Sequence, residues 1–519
     1  GNGRSKDGVA SLFAVFILFF GKLLICPDDF FCAYCLSFGM LVSLNVGQLA
    51  YVFAISCTAF GAYFVYKVGL TSRDVAQRNA QFRTLQIHFL LPYLLVLLAE
   101  SIQAPYLYVL YHVYGFLPSQ ISVLYVVGLT MNVIGTVLTV HLLSKFDRRM
   151  LCLCCVASSS LACLLKFSDN YLVLLIGRLL DGLSAALITA PFQQWYGHEH
   201  VMSFDFPKEW LASTFALLSL IAGFLSVLAG FIAEFAESIS SITAFPFFFA
   251  ILFQLAGGCY IMCVWPANRI EPEHRIPIRE QFISAVTIFK KKPVILVLCA
   301  VHTLFESTLL IFIFVWTPLF LHSKAILHQR ISYGVIYAAF MSCALLGGIF
   351  SRHYHKRLQP TQILFASSSV CLITLVLSVC IIPSTPTEWT KSLFNALLLL
   401  FCLFEFAVGS YVPAMNKLQI DLLPAEHRQS LLALLRIPLT VISSCGMLFL
   451  HSGNTDWQIV SMGCVLLSLT TLCALLLHMI ISQNNPQQIN DHFVLTLNTN
   501  VYDDSQEDED NLPQGLTIS

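Results

Sequence analysis

Apolar runs of membrane-spanning length recur along the whole sequence, and they restrict the possible folds more than any other feature. A helix of about 18 to 25 residues crosses a hydrocarbon core about 30 Å thick. Thirteen runs reach this length: 44–66, 86–112, 120–143, 150–167, 170–195, 211–234, 244–265, 293–320, 332–350, 361–382, 393–415, 429–450 and 457–481. Lipid offers no partner to backbone N–H and C=O groups, so each run has to be helical. The runs are continuous, whereas a β-barrel needs short alternating strands. We therefore predict an all-α membrane protein.

The composition agrees with burial in lipid and narrows the classes of function. Only 11% of the residues are charged, 57% are hydrophobic and the mean hydropathy is +0.76. A soluble domain carries about 25% charged residues. The net charge of −1 gives no reason to expect a nucleic-acid partner. The connections are short and hold no nucleotide-binding or nucleophile motif, so we predict neither an enzyme nor a cofactor.

One cluster of metal-type ligands needs a separate interpretation. His198, Glu199 and His200 are consecutive, at the end of a span. They lack the H-E-x-x-H spacing that places two histidines on one helical face. We expect a structural polar cap beside Trp195 and Trp210, and no metal site.

The charges in the connections predict the topology. Twelve core spans are counted from 86–112 onward. Lys and Arg are concentrated in the segment before Gln86 and in every second connection after it: 69–85, 144–150, 199–210, 267–292, 351–360 and 416–428. The opposite connections hold only Lys166, Lys324, Arg330 and Lys391. Cytoplasmic connections of membrane proteins are enriched in Lys and Arg. We expect both ends of the twelve-span core to face the cytosol.

This topology divides the chain into predicted segments. A six-helix bundle at 86–266 and another at 293–482 flank a basic cytosolic linker at 267–292. An extra helix at 40–68 precedes them, and an acidic, disordered cytosolic tail follows at 483–519. Residues 1–39 are apolar without a regular period. They are a second extra helix, a signal-like segment, or sequence upstream of a start at Met40, which is the interpretation we favour.

Ionisable side chains within spans are costly and usually face an interior cavity or a partner. Here they are few. The first, fourth, seventh, tenth and eleventh core spans carry them: Glu100 with Gln103, Arg178 with Asp181, Glu306, Glu405 and Arg436. Pro105, Pro191, Pro318, Pro413 and Pro438 lie in the same five spans and predict local breaks.

Each intramembrane charge has two interpretations. Arg178 and Asp181 are three residues apart on one helix face, so they either form a self-neutralising structural pair or contribute to a site. Glu405 either pairs with Arg436 across helices or takes part in coupling. Glu100 and Glu306 have no cation nearby in sequence, and for them we expect a cavity-facing role in substrate contact or proton transfer.

At this point several sequence features resemble a known superfamily. Two sets of six spans around a basic linker resemble the major facilitator superfamily. Gly177-Arg178 with Gly182 resembles its fourth-helix motif. The loop that contains Asp147, Arg148 and Arg149 resembles its helix 2–3 loop motif. The resemblance implies that Arg148 and Arg149 share the role of this motif in coupling.

More specific stretches resemble one branch, the molybdate-anion transporters. They occur in order along both bundles: Gln103-Ala104-Pro105-Tyr106-Leu107-Tyr108, Trp195-Tyr196-Gly197-His198-Glu199-His200, Phe206-Pro207-Lys208-Glu209-Trp210, Leu304-Phe305-Glu306-Ser307, Trp316-Thr317-Pro318 and Arg436-Ile437-Pro438. The resemblance implies a carrier of molybdate in the plasma membrane, with a central cavity lined by the first, fourth, seventh and tenth helices.

The expected mechanism is alternating access, with a substrate site made of Arg178, Arg436, Glu100, Gln103 and Glu306. Guanidinium groups match tetrahedral oxyanions through paired hydrogen bonds. Asp181, Glu405, Arg148 and Arg149 are expected to have structural or coupling roles. Two alternatives remain open: a carrier of another solute, such as sulfate, another small anion or a neutral metabolite, and a transporter-like sensor or scaffold that moves nothing.

Overall fold

The computed structural model describes residues 45–68, 79–267, 286–287, 289, 293–327, 331–355, 357–382, 390–424, 428–449 and 456–484. Within these ranges the secondary structure is helical, and thirteen helices are long and apolar enough to cross a membrane. The predicted segment 1–39, the start at Met40, most of the linker 267–292 and the tail beyond residue 484 lie outside the described residues.

The thirteen helices coincide one for one with the predicted apolar runs, which confirms the predicted fold class. In chain order, α1 to α13 are Val46–Val68, Ala80–Val113, Pro118–Lys145, Arg148–Leu165, Tyr171–Ser203, Glu209–Ser240, Phe245–Val264, Pro293–Leu327, Tyr333–Tyr354, Pro360–Ile381, Lys391–Leu422, Arg428–Phe449 and Asp456–Asn484. Helix α1 is the extra helix, and α2 to α13 are the twelve core helices.

Two of the core helices are broken near their prolines. Helix α2 runs from Ala80 to Gln103, tightens into a 3₁₀ turn at Ala104–Tyr106 and continues as Leu107–Val113. Helix α5 is interrupted after Leu187 and ends in a π-helical turn at Glu199–Ser203. Proline removes a backbone N–H and its ring clashes with the preceding turn, so Pro105 and Pro191 account for these positions. Both breaks lie in helices that carry intramembrane charges.

The core helices pack as two groups that meet along two lines. In the first group, α2 packs on α6 and α7, α3 on α5, and α4 on α5 and α7. In the second group, α8 packs on α12 and α13, α9 on α11, and α10 on α11 and α13. Contacts between the groups run along α6 with α9 and along α3 with α12. These two lines position any side chain that reaches from one group to the other.

Helix α1 does not pack on the helices that follow it in sequence. Its main neighbour is α9, in the second group, with smaller contacts to α11 and α6. Phe64 meets His353 edge to face, with ring centroids 5.2 Å apart, and Tyr51 stacks on Phe231 at 6.0 Å. A Cβ at Gly61 would lie 3.3 Å from Leu346, so the small residue allows a close helix contact. The extra helix therefore belongs, by its packing, with the second group.

Candidate functional site

Arg436 connects the two groups of helices. It lies in α12, half-buried, and its Nη1 donates a hydrogen bond of 2.8 Å to Oδ1 of Asn132 in α3. The partner is a neutral amide, so this contact satisfies a donor without cancelling the charge. The alternative in which Arg436 pairs with Glu405 is not observed among the described residues. Glu405 is 5% exposed and is surrounded within the second group, close to Tyr337 and Cys371.

Two side chains of α8 face the same arginine. His302 and Glu306 are four residues apart, on one face of the helix, and both lie within electrostatic range of Arg436. In the part of the chain that the structure describes, Nδ1 of His302 is buried and has no hydrogen-bond partner. The same holds for the hydroxyl of Tyr411, which lies within electrostatic range of Glu306. The ring of Tyr411 is held by stacking on Phe305, at 3.6 Å between centroids.

We call Arg436, Asn132, His302, Glu306 and Tyr411 the interface cluster. It draws on α3 from the first group and on α8, α11 and α12 from the second. Buried polar atoms are nearly always hydrogen-bonded in proteins. The unpartnered atoms of His302, near Arg436, and of Tyr411, near Glu306, therefore mark a place where a polar ligand would find hydrogen-bonding groups and charge. The sequence suggested Arg436 and Glu306. It gave no sign of Asn132, which is 304 residues away from its partner.

A second set of charges lies within the first group. Nη1 of Arg178 is 2.9 Å from Oδ2 of Asp181, and Nζ of Lys166 is 2.8 Å from Oδ1 of the same carboxylate. Lys166 also donates to Oε1 of Gln103 at 2.8 Å. One aspartate is therefore shared by two cations. We call Arg178, Asp181, Lys166 and Gln103 the paired-charge cluster.

Lys166 was expected to be a charge in an outer connection. The structure places it as the residue that ends α4, with its side chain only 2% exposed. Its long apolar stem allows the ammonium group to reach back into the bundle from the helix end. Its position at the end of the apolar run 150–167 was the only sequence signal, and a loop lysine gives the same signal.

The guanidinium group of Arg178 packs closely against residues of α3. Its Nε donates to the carbonyl of Leu124 at 3.3 Å, and its plane lies over the ring of Tyr125 at 5.1 Å. On α3, a Cβ at Gly128 would be 2.7 Å from Nη2 of Arg178. The glycine therefore makes room for the arginine between α3 and α5.

A substitution at Gly128 tests whether this fit matters for function. We expect Gly128→Ala to displace the guanidinium group and to lower uptake of the transported solute about threefold to tenfold, since a misplaced charge weakens its hydrogen bonds. Gly197→Ala is the matched control, because nothing lies within 4 Å of a Cβ there. The measurement is initial uptake rate at equal surface abundance. Equal rates for both variants would contradict the importance of this contact.

Glu100 is placed differently from Glu306. Ser159 of α4 donates to Oε1 of Glu100 at 2.5 Å, and Nε2 of Gln254 in α7 lies 3.4 Å from the same oxygen. Ser160 in turn donates to Gln254 at 3.1 Å. The carboxyl group is thus held by neutral donors inside the first group. The predicted substrate residues therefore occupy three settings: Arg436 and Glu306 at the interface, Arg178 and Gln103 in the paired-charge cluster, and Glu100 in this serine and glutamine network.

The remaining polar residues singled out in the sequence stabilise helix ends. Asp147 caps α4 by accepting from the backbone N–H of Arg149 at 3.1 Å, and the guanidinium group of Arg149 donates to the carbonyl of Met262. Arg148 is in electrostatic contact with Asp147 and Glu199. These contacts hold the ends of α4, α5 and α7 together.

His198 and His200 lie in the last turns of α5, and His200 makes structural contacts there. The buried ring of His200 is 2.8 Å from the carbonyl of Pro207 and packs edge to face on Phe82. No group of three or more His, Cys, Asp or Glu residues with a suitable arrangement occurs among the residues that the structure describes. Trp195 instead stacks on Trp265, with ring centroids 3.7 Å apart.

Comparisons with known proteins agree with this architecture. The MFS_5 family model, described as 12-TM sugar transporters, matches residues 49–404. A molybdate-anion transporter of Takifugu rubripes is 33% identical over 435 residues, covering 76% of this chain and 87% of the relative. Its counterpart in Danio rerio is 31% identical, over 73% of this chain and 82% of the relative.

Solved structures show the same fold at much lower identity. A variant of the nucleoside transporter NupG superposes with a TM-score of 0.59 at 11% identity, over 76% of this chain and 99% of that one. A D-xylose–proton symporter superposes with a TM-score of 0.56 at 12% identity, over 77% and 97% of the two chains. These are transporters and not enzymes. The chain is therefore a multi-pass membrane protein of the major facilitator superfamily and belongs to the MFS_5 family, together with the molybdate-anion transporters.

Proposed function

We propose that this protein is a secondary transporter that carries molybdate, a tetrahedral dianion, across a membrane by alternating access. The observation that carries the proposal is the interface cluster, where Arg436 bonds across the contact between the two groups of helices. A substrate site shared by both groups is what alternating access requires. The similarity to molybdate-anion transporters supports the choice of solute.

The charge at Arg436 suits an oxyanion. Its hydrogen bond goes to the amide of Asn132, and the structure gives no carboxylate within ion-pair distance of it among the described residues. Guanidinium binds oxyanions through parallel N–H···O bonds, which are stronger than bonds between neutral groups. Glu306 lies close enough to influence the charge, and we assign it a role in tuning affinity or carrying a proton. Arg178 differs because Asp181 already pairs with it.

The movement we propose is a rocking of two six-helix units, 86–266 and 293–482, about the contact lines of α6 with α9 and α3 with α12. Rigid-body motion about an interface is a common route for such transitions. The Lys and Arg distribution supports an orientation with both ends of the core in the cytosol, and we place the protein in the cell membrane.

Uptake of labelled molybdate tests the proposal. We expect Arg436→Ala to lower uptake about tenfold or more, because bonds to charged groups contribute roughly 1.5–3 kcal/mol. Arg436→Lys keeps the positive charge but lacks the planar guanidinium group that forms paired hydrogen bonds, and it should retain part of the activity. Arg83→Ala is the control, since that arginine is exposed near the start of α2. Uptake by Arg436→Ala equal to the wild type, at equal surface abundance, would overturn the assignment.

Competition experiments in the same assay distinguish molybdate from the alternative solutes. Excess sulfate, another tetrahedral dianion, measures how selective the site is for molybdate. An excess of an uncharged sugar should leave molybdate uptake unchanged. Retained binding of a protein partner, with no uptake of any of these solutes, would support the sensor alternative instead.

A further inference from the structure

We propose that Lys166 and Arg178 form a second oxyanion site, separate from the interface cluster, in which the carboxylate of Asp181 takes the position of the bound anion. The inference rests on the proposed function and adds a place and a set of residues to it. The sequence named Arg178 and Gln103 as substrate residues, and the structure adds Lys166 and Tyr111.

The donors of the two cations are only partly used. An ammonium group has three N–H donors, and Lys166 uses two of them, for Asp181 and Gln103. A guanidinium group has five, and Arg178 uses one for Asp181 and one for the carbonyl of Leu124. Among the described residues, the two cations therefore keep donors available beyond their present bonds.

A buried hydroxyl group beside the cations provides independent evidence. Tyr111 is 0% exposed, and its hydroxyl has no hydrogen-bond partner within the described ranges. It lies within electrostatic range of both Arg178 and Asp181. Natural proteins rarely leave a buried hydroxyl unpaired, so its position beside an Arg–Asp–Lys cluster indicates a ligand oxygen that it would bond.

Aromatic rings form the sides of the site. Arg178 lies over Tyr125, and Nζ of Lys166 is 5.2 Å from the centroid of Phe247. Rings in this position attract a cation and exclude water from it. In such surroundings the attraction between an anion and the two cations is stronger than at an exposed surface.

The geometry favours exchange between Asp181 and an external anion. Each carboxylate oxygen of Asp181 bonds one cation, and neither oxygen accepts a hydrogen bond from the hydroxyl of Tyr111. A tetrahedral oxyanion has four oxygens and twice the charge, and it would contact Lys166, Arg178 and Tyr111 together. Glu100 is another acidic group within electrostatic range of both cations, and its carboxylate already accepts a hydrogen bond from Ser159. Asp181 therefore competes with the anion.

Binding of labelled molybdate to the purified full chain tests the site. In Arg436→Ala, which removes the interface cation, we expect residual saturable binding. Adding Lys166→Met should weaken that binding about tenfold or more, and adding Lys166→Arg should preserve most of it. Tyr111→Phe should weaken it severalfold without lowering thermal stability, because the lost hydroxyl has no partner in the fold. Asp181→Asn should strengthen it, since the competing carboxylate is gone.

The outcomes separate this inference from the proposed function. If the wild type binds molybdate but Arg436→Ala retains no binding, the second site is overturned and the proposed function stands. The same follows if Lys166→Met and Tyr111→Phe bind like the Arg436→Ala parent. If the wild type binds neither molybdate nor sulfate, the proposed function fails and the second site fails with it.

Discussion

Replacing Gly409 with alanine is expected to remove most of the folded protein. Gly409 lies in α11, where it packs against α9, and a Cβ at this position would overlap the carbonyl oxygen of Ala344 and lie 2.8 Å from its Cα. These contacts are backbone atoms, so no side-chain rotation relieves the overlap. The helices have to separate, in the most closely packed part of the second group, and overpacking of this kind costs roughly 1–3 kcal/mol or more.

The control for this prediction is Gly348 in α9, one helical turn after Ala344. Gly348 of α9 faces the same contact, but a Cβ there would lie 3.5 Å from the carbonyl oxygen of Gly409, an ordinary van der Waals distance. Gly348→Ala should therefore be tolerated. Detergent-solubilised protein is compared by size-exclusion profile and melting temperature. A Gly409→Ala protein as abundant and as stable as Gly348→Ala would show that the two helices are less tightly packed than described.

The second large effect is expected at Gly334, where the two groups of helices meet. A Cβ at Gly334 would overlap the carbonyl oxygen of Gly230 in α6 and lie 2.8 Å from the backbone nitrogen of Glu234. The contact is reinforced by hydrogen bonds. The backbone N–H of Gly334 donates to Oε2 of Glu234 at 3.2 Å, and the hydroxyl of Tyr106 donates to the same oxygen at 2.8 Å.

We expect Gly334→Ala to be folded but unable to transport. The added methyl group separates α9 from α6 at the end where the 3₁₀ break of α2 lies, so the two units cannot close there. The internal packing of each group is unchanged. Molybdate uptake should fall to background while surface abundance and the size-exclusion profile stay close to those of the wild type. Gly197→Ala serves as the control. Uptake near the wild-type level would contradict a closing role for this contact.

The sequence predicted the helices well because their length is set by the membrane. Each of the thirteen predicted runs became one helix, and Pro105 and Pro191 predicted where two of them break. The breaks predicted at Pro318, Pro413 and Pro438 were wrong, because α8, α11 and α12 continue through these prolines. The pair of Arg178 and Asp181 could also be predicted from the sequence, since residues three apart share a helix face. These features depend on short stretches of chain, which a single sequence displays directly.

The partners of the buried charges were much harder to predict. Asn132 bonds Arg436 from 304 residues away, and Gln254 reaches Glu100 from 154 residues away. Both partners are neutral amides in apolar runs, where they carry no distinctive pattern. Lys166 was misplaced because a lysine at a helix end can point into solvent or back into the bundle, and only the fold decides between these.

The packing of α1 on α9 has a consequence for the biogenesis of the protein. Phe64 and His353 are in contact, yet about 290 residues separate them, which takes roughly 15–60 s to synthesise at 5–20 residues per second. During that interval the main packing surface for α1, on α9, has not yet been synthesised. A chain truncated before α9 leaves α1 without its partner. When the two groups of helices are expressed as separate fragments, we expect α1 to pack on the fragment that contains α9, although α1 precedes the first group in sequence.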